Sequence, residues 1–132
     1  MVLSKSEALK GAPHILIVDD HEQNLELLEA YLEEVHARVS KARDGLEALR
    51  LVQLDKPDLI LLDVMMPRMS GFQLVQKLRA EEATKGVPVI MVTALGEVSD
   101  VARATELGVR EYLTKPVNKV DLLARVRAAV GG

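Results

Sequence analysis

Short apolar bursts alternate with longer amphipathic stretches along the chain, and this alternation predicts most of the architecture. Five bursts, HILIVD, ARVSKA, DLILLD, VPVIMVTA and REYLTK, are brief and rich in β-branched residues or Leu, as strands are. The stretches between them carry apolar residues at helical spacing. Leu25, Leu28, Leu32 and Val35 recur with Glu22, Glu26, Glu29 and Glu33 between them, which predicts a first helix with an acidic outer face. Asp44-Gly45 opens a second helix carrying Leu46, Leu49 and Val52, and it ends before Lys56-Pro57 because proline disfavours helix in the residue ahead of it. A third is expected from about Ser70 to Glu82, with Phe72, Leu74, Val75 and Leu78 among its apolar residues. A fourth begins at Ser99 or Glu97 and is closed by Gly108 as a left-handed cap. Asn118 caps a fifth, whose Val120, Leu123, Val126 and Val130 line one face.

Strands that alternate with helices over short connections imply an α/β fold, a parallel sheet with right-handed crossovers and helices on both faces. The ILIV run, DLILLD and VPVIMV read as central strands, whereas ARVSKA, with Arg38, Ser40 and Lys41, reads as an edge. At 132 residues the chain fits one domain over residues 13–130, with 1–12 as a loose lead-in and 131–132 as a tail.

Composition narrows the function. Aromatics at 2% leave few stacking platforms for bases or flavins, and a net charge of -3 gives no electrostatic footprint for nucleic acid or an anionic membrane. The absence of cysteine removes disulfide and thiolate chemistry and agrees with a reducing cytosol. MVLSKSEALKGAP lacks the long apolar segment of a signal peptide, and no run approaches membrane-spanning length, so a soluble cytoplasmic protein is expected.

In an open parallel sheet, ligands bind at the carboxyl ends of the strands. The first burst ends in Asp19-Asp20, the third in Asp63, the fourth in Thr93 and the fifth in Thr114-Lys115-Pro116. One rim thus receives three carboxylates, a hydroxyl and an ammonium. Clustered carboxylates raise one another's pKa unless a cation neutralises them, and an all-oxygen set suits a hard ion such as Mg2+. One acid then remains free as a nucleophile that forms an aspartyl phosphate, with lysine and threonine meeting the phosphoryl oxygens. Each residue alone has a plainer reading: Asp63 as a turn former, Asp20 as a helix cap, Thr93 as a strand residue, Lys115 as a solvated lysine. Their conjunction at four strand ends is what carries weight. Met65, Met66 and Met69 fit loop packing, and His14, His21 and His36 are too scattered for a metal set, with His21 a helix-start residue.

With ILIVDD, LLDVMMPRMSG, VIMVTA and YLTKP in that order, the chain resembles the receiver domain of two-component response regulators over Pro13 to Val130. The resemblance implies the flavodoxin-like (βα)5 three-layer sandwich, with a five-stranded sheet of order 2-1-3-4-5. It makes Asp63 the phosphoacceptor, with Asp19, Asp20, Asp63 and the backbone carbonyl of Met65 holding Mg2+, or Mn2+ in its place. Thr93, Ala94 and Lys115 would meet the phosphoryl group, and Tyr112 would be the aromatic that turns inward as Thr93 moves. Lys115-Pro116 would be a cis peptide bond. The implied partners are a sensor histidine kinase or a histidine phosphotransfer protein, and a downstream target, effector domain or second copy that meets the fourth helix, fifth strand and fifth helix. Met65 and Leu95, apolar at positions that tune phosphate lifetime in the family, imply slow self-dephosphorylation.

The resemblance implies a signalling domain rather than an enzyme, with at most weak self-phosphorylation and self-dephosphorylation. Aspartyl-phosphate hydrolases resemble the chain less, because their two acids after the first strand are separated by one residue whereas Asp19 and Asp20 are adjacent. A flavin module would need a hydroxyl-rich phosphate loop after the first strand. Gly131-Gly132 follow shortly after the fifth helix, which suits a freestanding adaptor and an excised receiver alike.

Overall fold

A computed structural model describes residues 11–94, 98–109 and 111–131. Strands β1 (His14–Val18), β2 (Arg38–Ala42), β3 (Leu59–Asp63), β4 (Val89–Thr93) and β5 (Glu111–Thr114) alternate with helices α1 (Glu22–Leu32), α2 (Gly45–Leu54), α3 (Gly71–Ala80), α4 (Val98–Glu106) and α5 (Lys119–Val130). All strand pairs are parallel, in the order β2-β1-β3-β4-β5. This is the flavodoxin-like fold, with β3 at the centre of the sheet and β2 at one edge, as its polar residues predict.

The strand period of two divides the core. Leu16, Val18, Ile60, Leu62, Val89 and Met91 face one way and pack with Ala48 and Val52 of α2, Phe72, Leu74, Val75 and Leu78 of α3 and Ala104 of α4. Ile15, Ile17, Leu59, Leu61, Ile90, Val92 and Leu113 face the other way, against Leu25, Leu28 and Leu32 of α1 and Leu122, Leu123 and Val126 of α5. Every residue of β1, β3 and β4 is buried, which is why these segments read as continuous apolar runs rather than alternating ones.

Several helix details differ from expectation. Val35 lies beyond the end of α1, yet it stays buried in the turn that follows. Leu46 and Val120 sit at helix starts and point outward, at 68% and 77% exposure, so Ala48 and Leu122 take the buried places instead. Helix α3 stops at Ala80, two residues before Glu82, and its start is fixed by a capping box in which Ser70 and Gln73 bond each other's backbone amides. Helix α4 is described from Val98, one residue ahead of Ser99, while Glu97 lies outside the described residues. It ends as expected at Gly108, with φ +82°, and the Val109 amide donates to the Ala104 carbonyl to close a Schellman turn. Ala12, placed in the lead-in, is buried, and its carbonyl accepts from Arg38 Nε at 3.2 Å.

At the pole opposite the strand carboxyl ends, one side chain ties separate segments of backbone together. Arg79 of α3 donates to the carbonyls of Leu107, Lys85 and Val87 at 2.8–2.9 Å, joining the end of α4 to the loop before β4. Burial lowers its pKa from the ordinary guanidinium value.

The loop after β3 is held against the first turn of α3 by the Gly71 amide, which donates to the Val64 carbonyl at 2.9 Å. A Cβ on Gly71 would lie 2.6 Å from the Asp63 carbonyl oxygen and 3.0 Å from the Val64 Cα, both backbone atoms that cannot rotate away. Gly71→Ala is therefore expected to cost about 1–3 kcal/mol by overpacking. In urea denaturation this appears as a lower midpoint at unchanged slope; an unaltered midpoint would show that the loop yields freely.

Candidate functional site

Strand pairing ends at Val18, and the two acids that follow take different environments. Asp19 is buried, and each carboxylate oxygen has donors: Oδ1 accepts the His21 amide at 2.9 Å, while Oδ2 accepts Asn24 Nδ2 at 3.1 Å and Lys115 Nζ at 3.0 Å. The Asp20 side chain is 26% exposed, but its Oδ1 is buried with no hydrogen bond, although His21 Nδ1 lies 3.1 Å away. Asp63 closes β3 and is also buried. Its Oδ1 accepts the Met65 amide at 3.3 Å and lies 3.5 Å from Lys115 Nζ.

The parallel register explains the convergence. Val18 pairs with Leu62, and Asp63 with Val92, so β1, β3 and β4 end level with one another. Thr93 ends β4 as a buried residue, and its carbonyl accepts the Lys115 amide at 2.7 Å. Ala94 follows it, exposed at the rim. Lys115-Pro116 is cis, as the resemblance implies. Tyr112, opposite Met91 on β4, packs partly buried against the core on the α3–α4 side; its hydroxyl donates to the Val109 carbonyl at 3.0 Å and lies 3.1 Å from Thr105 Oγ1.

Of the residues singled out from sequence, Asp19, Asp20, Asp63 and Lys115 meet directly, and Thr93 joins them through its backbone bond to Lys115. Oxygens of the three aspartates and a ring nitrogen of His21 lie within 4.8 Å of one another, close enough to share one ion. His21 is thus both the residue that leads into α1 and a member of the rim cluster. The donor set is dominated by carboxylate oxygen, and the unbonded Asp20 Oδ1 is a buried acceptor in want of a positive partner, so the residues fit a hard divalent cation. Met66 is buried in the core and Met69 lies across Gly45, in keeping with loop packing, but Met65 is 74% exposed. Leu95 lies outside the described residues.

Sequence reasoning missed Asn24 and Gly71. Asn24 had a faint signal: it is the third residue of α1, a place from which side chains often reach back past the helix start. Gly71 had none beyond its place in the MSG triplet.

Burial raises the Asp63 carboxyl above the ordinary carboxylate range, and the Asp19 charge raises it further; Lys115 and the Met65 amide offset this only in part. The native state therefore holds this proton more tightly than the unfolded chain does. Between the unfolded and native pKa values, rising pH draws stability out of the native state, and above both the loss is complete. Asp63→Asn is expected to raise the melting temperature of the metal-free protein by a few degrees at neutral pH. The gain should vanish as pH falls below the ordinary aspartate range. Calorimetry at a series of pH values measures this, and an unchanged or lower neutral-pH melting temperature would contradict it.

Comparison with known proteins places this geometry in a family. The model of the response regulator receiver domain matches residues 15–127. The response regulator PleD of Caulobacter vibrioides is 47% identical over 114 residues, which are 86% of this chain and 25% of PleD. Protein PilH of Pseudomonas aeruginosa is 38% identical over 118 residues, covering 89% of this chain and 98% of PilH. The chain spans 46 to 48% of the length of the transcriptional regulators that it matches in Synechocystis, Cyanophora paradoxa and Guillardia theta. Among solved structures, the receiver domain of the sensor histidine kinase PA1611 from Pseudomonas aeruginosa PAO1, with a magnesium ion coordinated in its active site cleft, has a TM-score of 0.81. It is 30% identical and covers 91% of this chain and 98% of that one. None of the described helices is long and apolar enough to cross a membrane. Matched by the family's model over most of its length, the chain belongs to the response regulator receiver domains, a family of signalling domains.

Proposed function

We propose that this receiver accepts a phosphoryl group on Asp63 from the phosphohistidine of a sensor histidine kinase or a histidine phosphotransfer protein, in a Mg2+-dependent reaction in the cytoplasm. The observation that carries this reading is the placement of Lys115 Nζ, 3.0 Å from Asp19 and 3.5 Å from Asp63, at a rim that gathers three acids. Asp19, Asp20, Asp63 and the Met65 carbonyl would hold the ion, in line with the magnesium in the PA1611 receiver. Bound there, Mg2+ supplies positive charge to the phosphoryl oxygens.

An Asp63 carboxylate oxygen forms a bond to phosphorus as the phosphorus–nitrogen bond of the donor breaks, and the imidazole leaves neutral when its other ring nitrogen carries a proton. Lys115 exchanges its carboxylate partners for a phosphoryl oxygen, which places its charge where negative charge gathers. The Thr93 hydroxyl bonds a second oxygen, and the small Ala94 leaves the acceptor accessible. The phosphoryl group adds roughly -1.5 to -2 charges at neutral pH, and the response needs an element that treats the two states differently. That element is the Thr93 segment coupled to Tyr112, whose hydroxyl is shared with Val109 and Thr105 at the end of α4. The altered surface is α4, β5 and α5, which meets a downstream protein, an effector domain or a second copy.

Beryllofluoride with Mg2+ tests the assignment. Amide resonances of Thr93, Tyr112 and Lys115 should shift in the wild type and not in Asp63→Ala; if both respond alike, or neither does, the acceptor is wrongly assigned. Met65 and Leu95 offer no acid or amide to position an attacking water. The phosphorylated protein should therefore persist for minutes or longer in Mg2+, followed by intact mass, and a half-life of seconds would overturn this.

A further inference from the structure

Two helices whose starts lie beside the site, α1 and α3, are built differently. In α3 the third residue, Gln73, completes a capping box with Ser70. In α1 the residue just before the helix, His21, makes no side-chain cap, and the third residue, Asn24, does not return to it. Asn24 instead donates Nδ2 to Asp19 Oδ2 at 3.1 Å, while the His21 amide that a capping box would occupy donates to Asp19 Oδ1 at 2.9 Å. The start of α1 is thus turned toward one buried carboxylate.

Asp19 Oδ2 has two donors of unequal permanence. Lys115 Nζ sits at the end of a long flexible chain and is also 3.5 Å from Asp63. Asn24 has a short side chain fixed on the first turn of a helix, where its own amide donates to the His21 carbonyl at 3.0 Å. A buried carboxylate oxygen that loses its partner bears a desolvation cost, so a second donor decides whether the first can leave cheaply.

We propose that Asn24 is a positioning residue for the phosphorylation site. It fixes the Asp19 carboxylate for the divalent ion, and it keeps Oδ2 bonded when Lys115 turns from Asp19 to the phosphoryl group. This rests on the metal-dependent phosphorylation proposed above. Groups that orient a metal-binding side chain commonly contribute about 10- to 100-fold in metal affinity.

The test is NMR titration of the full chain with Mg2+ alone and then with beryllofluoride in Mg2+. Three variants are compared with wild type: Asn24→Leu, which keeps the bulk and removes the donor; Asn24→Gln, which keeps an amide donor; and Gln23→Leu at the neighbouring exposed position. Asn24→Leu is expected to weaken Mg2+ binding about 10-fold, and to weaken the beryllofluoride complex by a larger factor, because Lys115 is then engaged elsewhere. Asn24→Gln should retain most of the affinity, and Gln23→Leu all of it. Melting in the absence of metal, where the four proteins should nearly coincide, separates this role from a general effect on α1. Unchanged Mg2+ affinity in Asn24→Leu, equal losses in the two titrations, or a matching loss in Asn24→Gln or Gln23→Leu would overturn the proposal while wild-type binding left the phosphorylation reading standing. A wild type that binds no Mg2+ would overturn both.

Discussion

The constraint on which this molecule depends is the gathering of like charge at a place that water reaches poorly. Asp19 and Asp63 are both buried, with carboxylate oxygens no more than 4.8 Å apart. At that separation two unit charges repel by about 3.5 kcal/mol at an effective dielectric constant of about 20. Nothing in the strands themselves favours such an arrangement. It holds because Lys115 reaches both acids and because backbone amides of His21 and Met65 donate to them. The compensation is incomplete, as the raised pKa of Asp63 and the unbonded Asp20 Oδ1 show. A site left short of positive charge is poised to take it from an ion, and one lysine shared between two acids is free to change partners.

The fold was legible because its strands are buried on both faces. Continuous apolar runs such as LILL and VIMV leave little choice but the interior of a parallel sheet, and the polar ARVSKA segment can only lie at an edge. Once the sheet is parallel, the strand carboxyl ends share one rim. The positions of Asp19, Asp63, Thr93 and Lys115 follow from the order of residues alone. The helices were legible less finely. Leu46 and Val120 match helical spacing but fall at helix starts, where the core no longer covers them, while Ala48 and Leu122 were passed over.

The polar detail of the site was hidden for a related reason. Periodicity reports which side of an element is dry, and Asn24 is neither part of the core face nor plainly on the solvent face. Its role depends on the direction of one amide relative to a carboxylate five residues earlier. Gly71 is a similar case, since only the approach of the Asp63 and Val64 backbone reveals what a side chain there would meet.

Lys115 and Asp19 stand 96 positions apart, and the ammonium arrives on the connection after the last strand. Any fragment that stops short of this connection therefore carries all three acids and lacks the ammonium that reaches two of them. Pairing β1 with β3 in such a fragment would bring Asp19 and Asp63 together without that fixed countercharge. Because β1 and β5 are not neighbours in the sheet, the first strand is tied to the segment after the last one by a charge rather than by strand pairing.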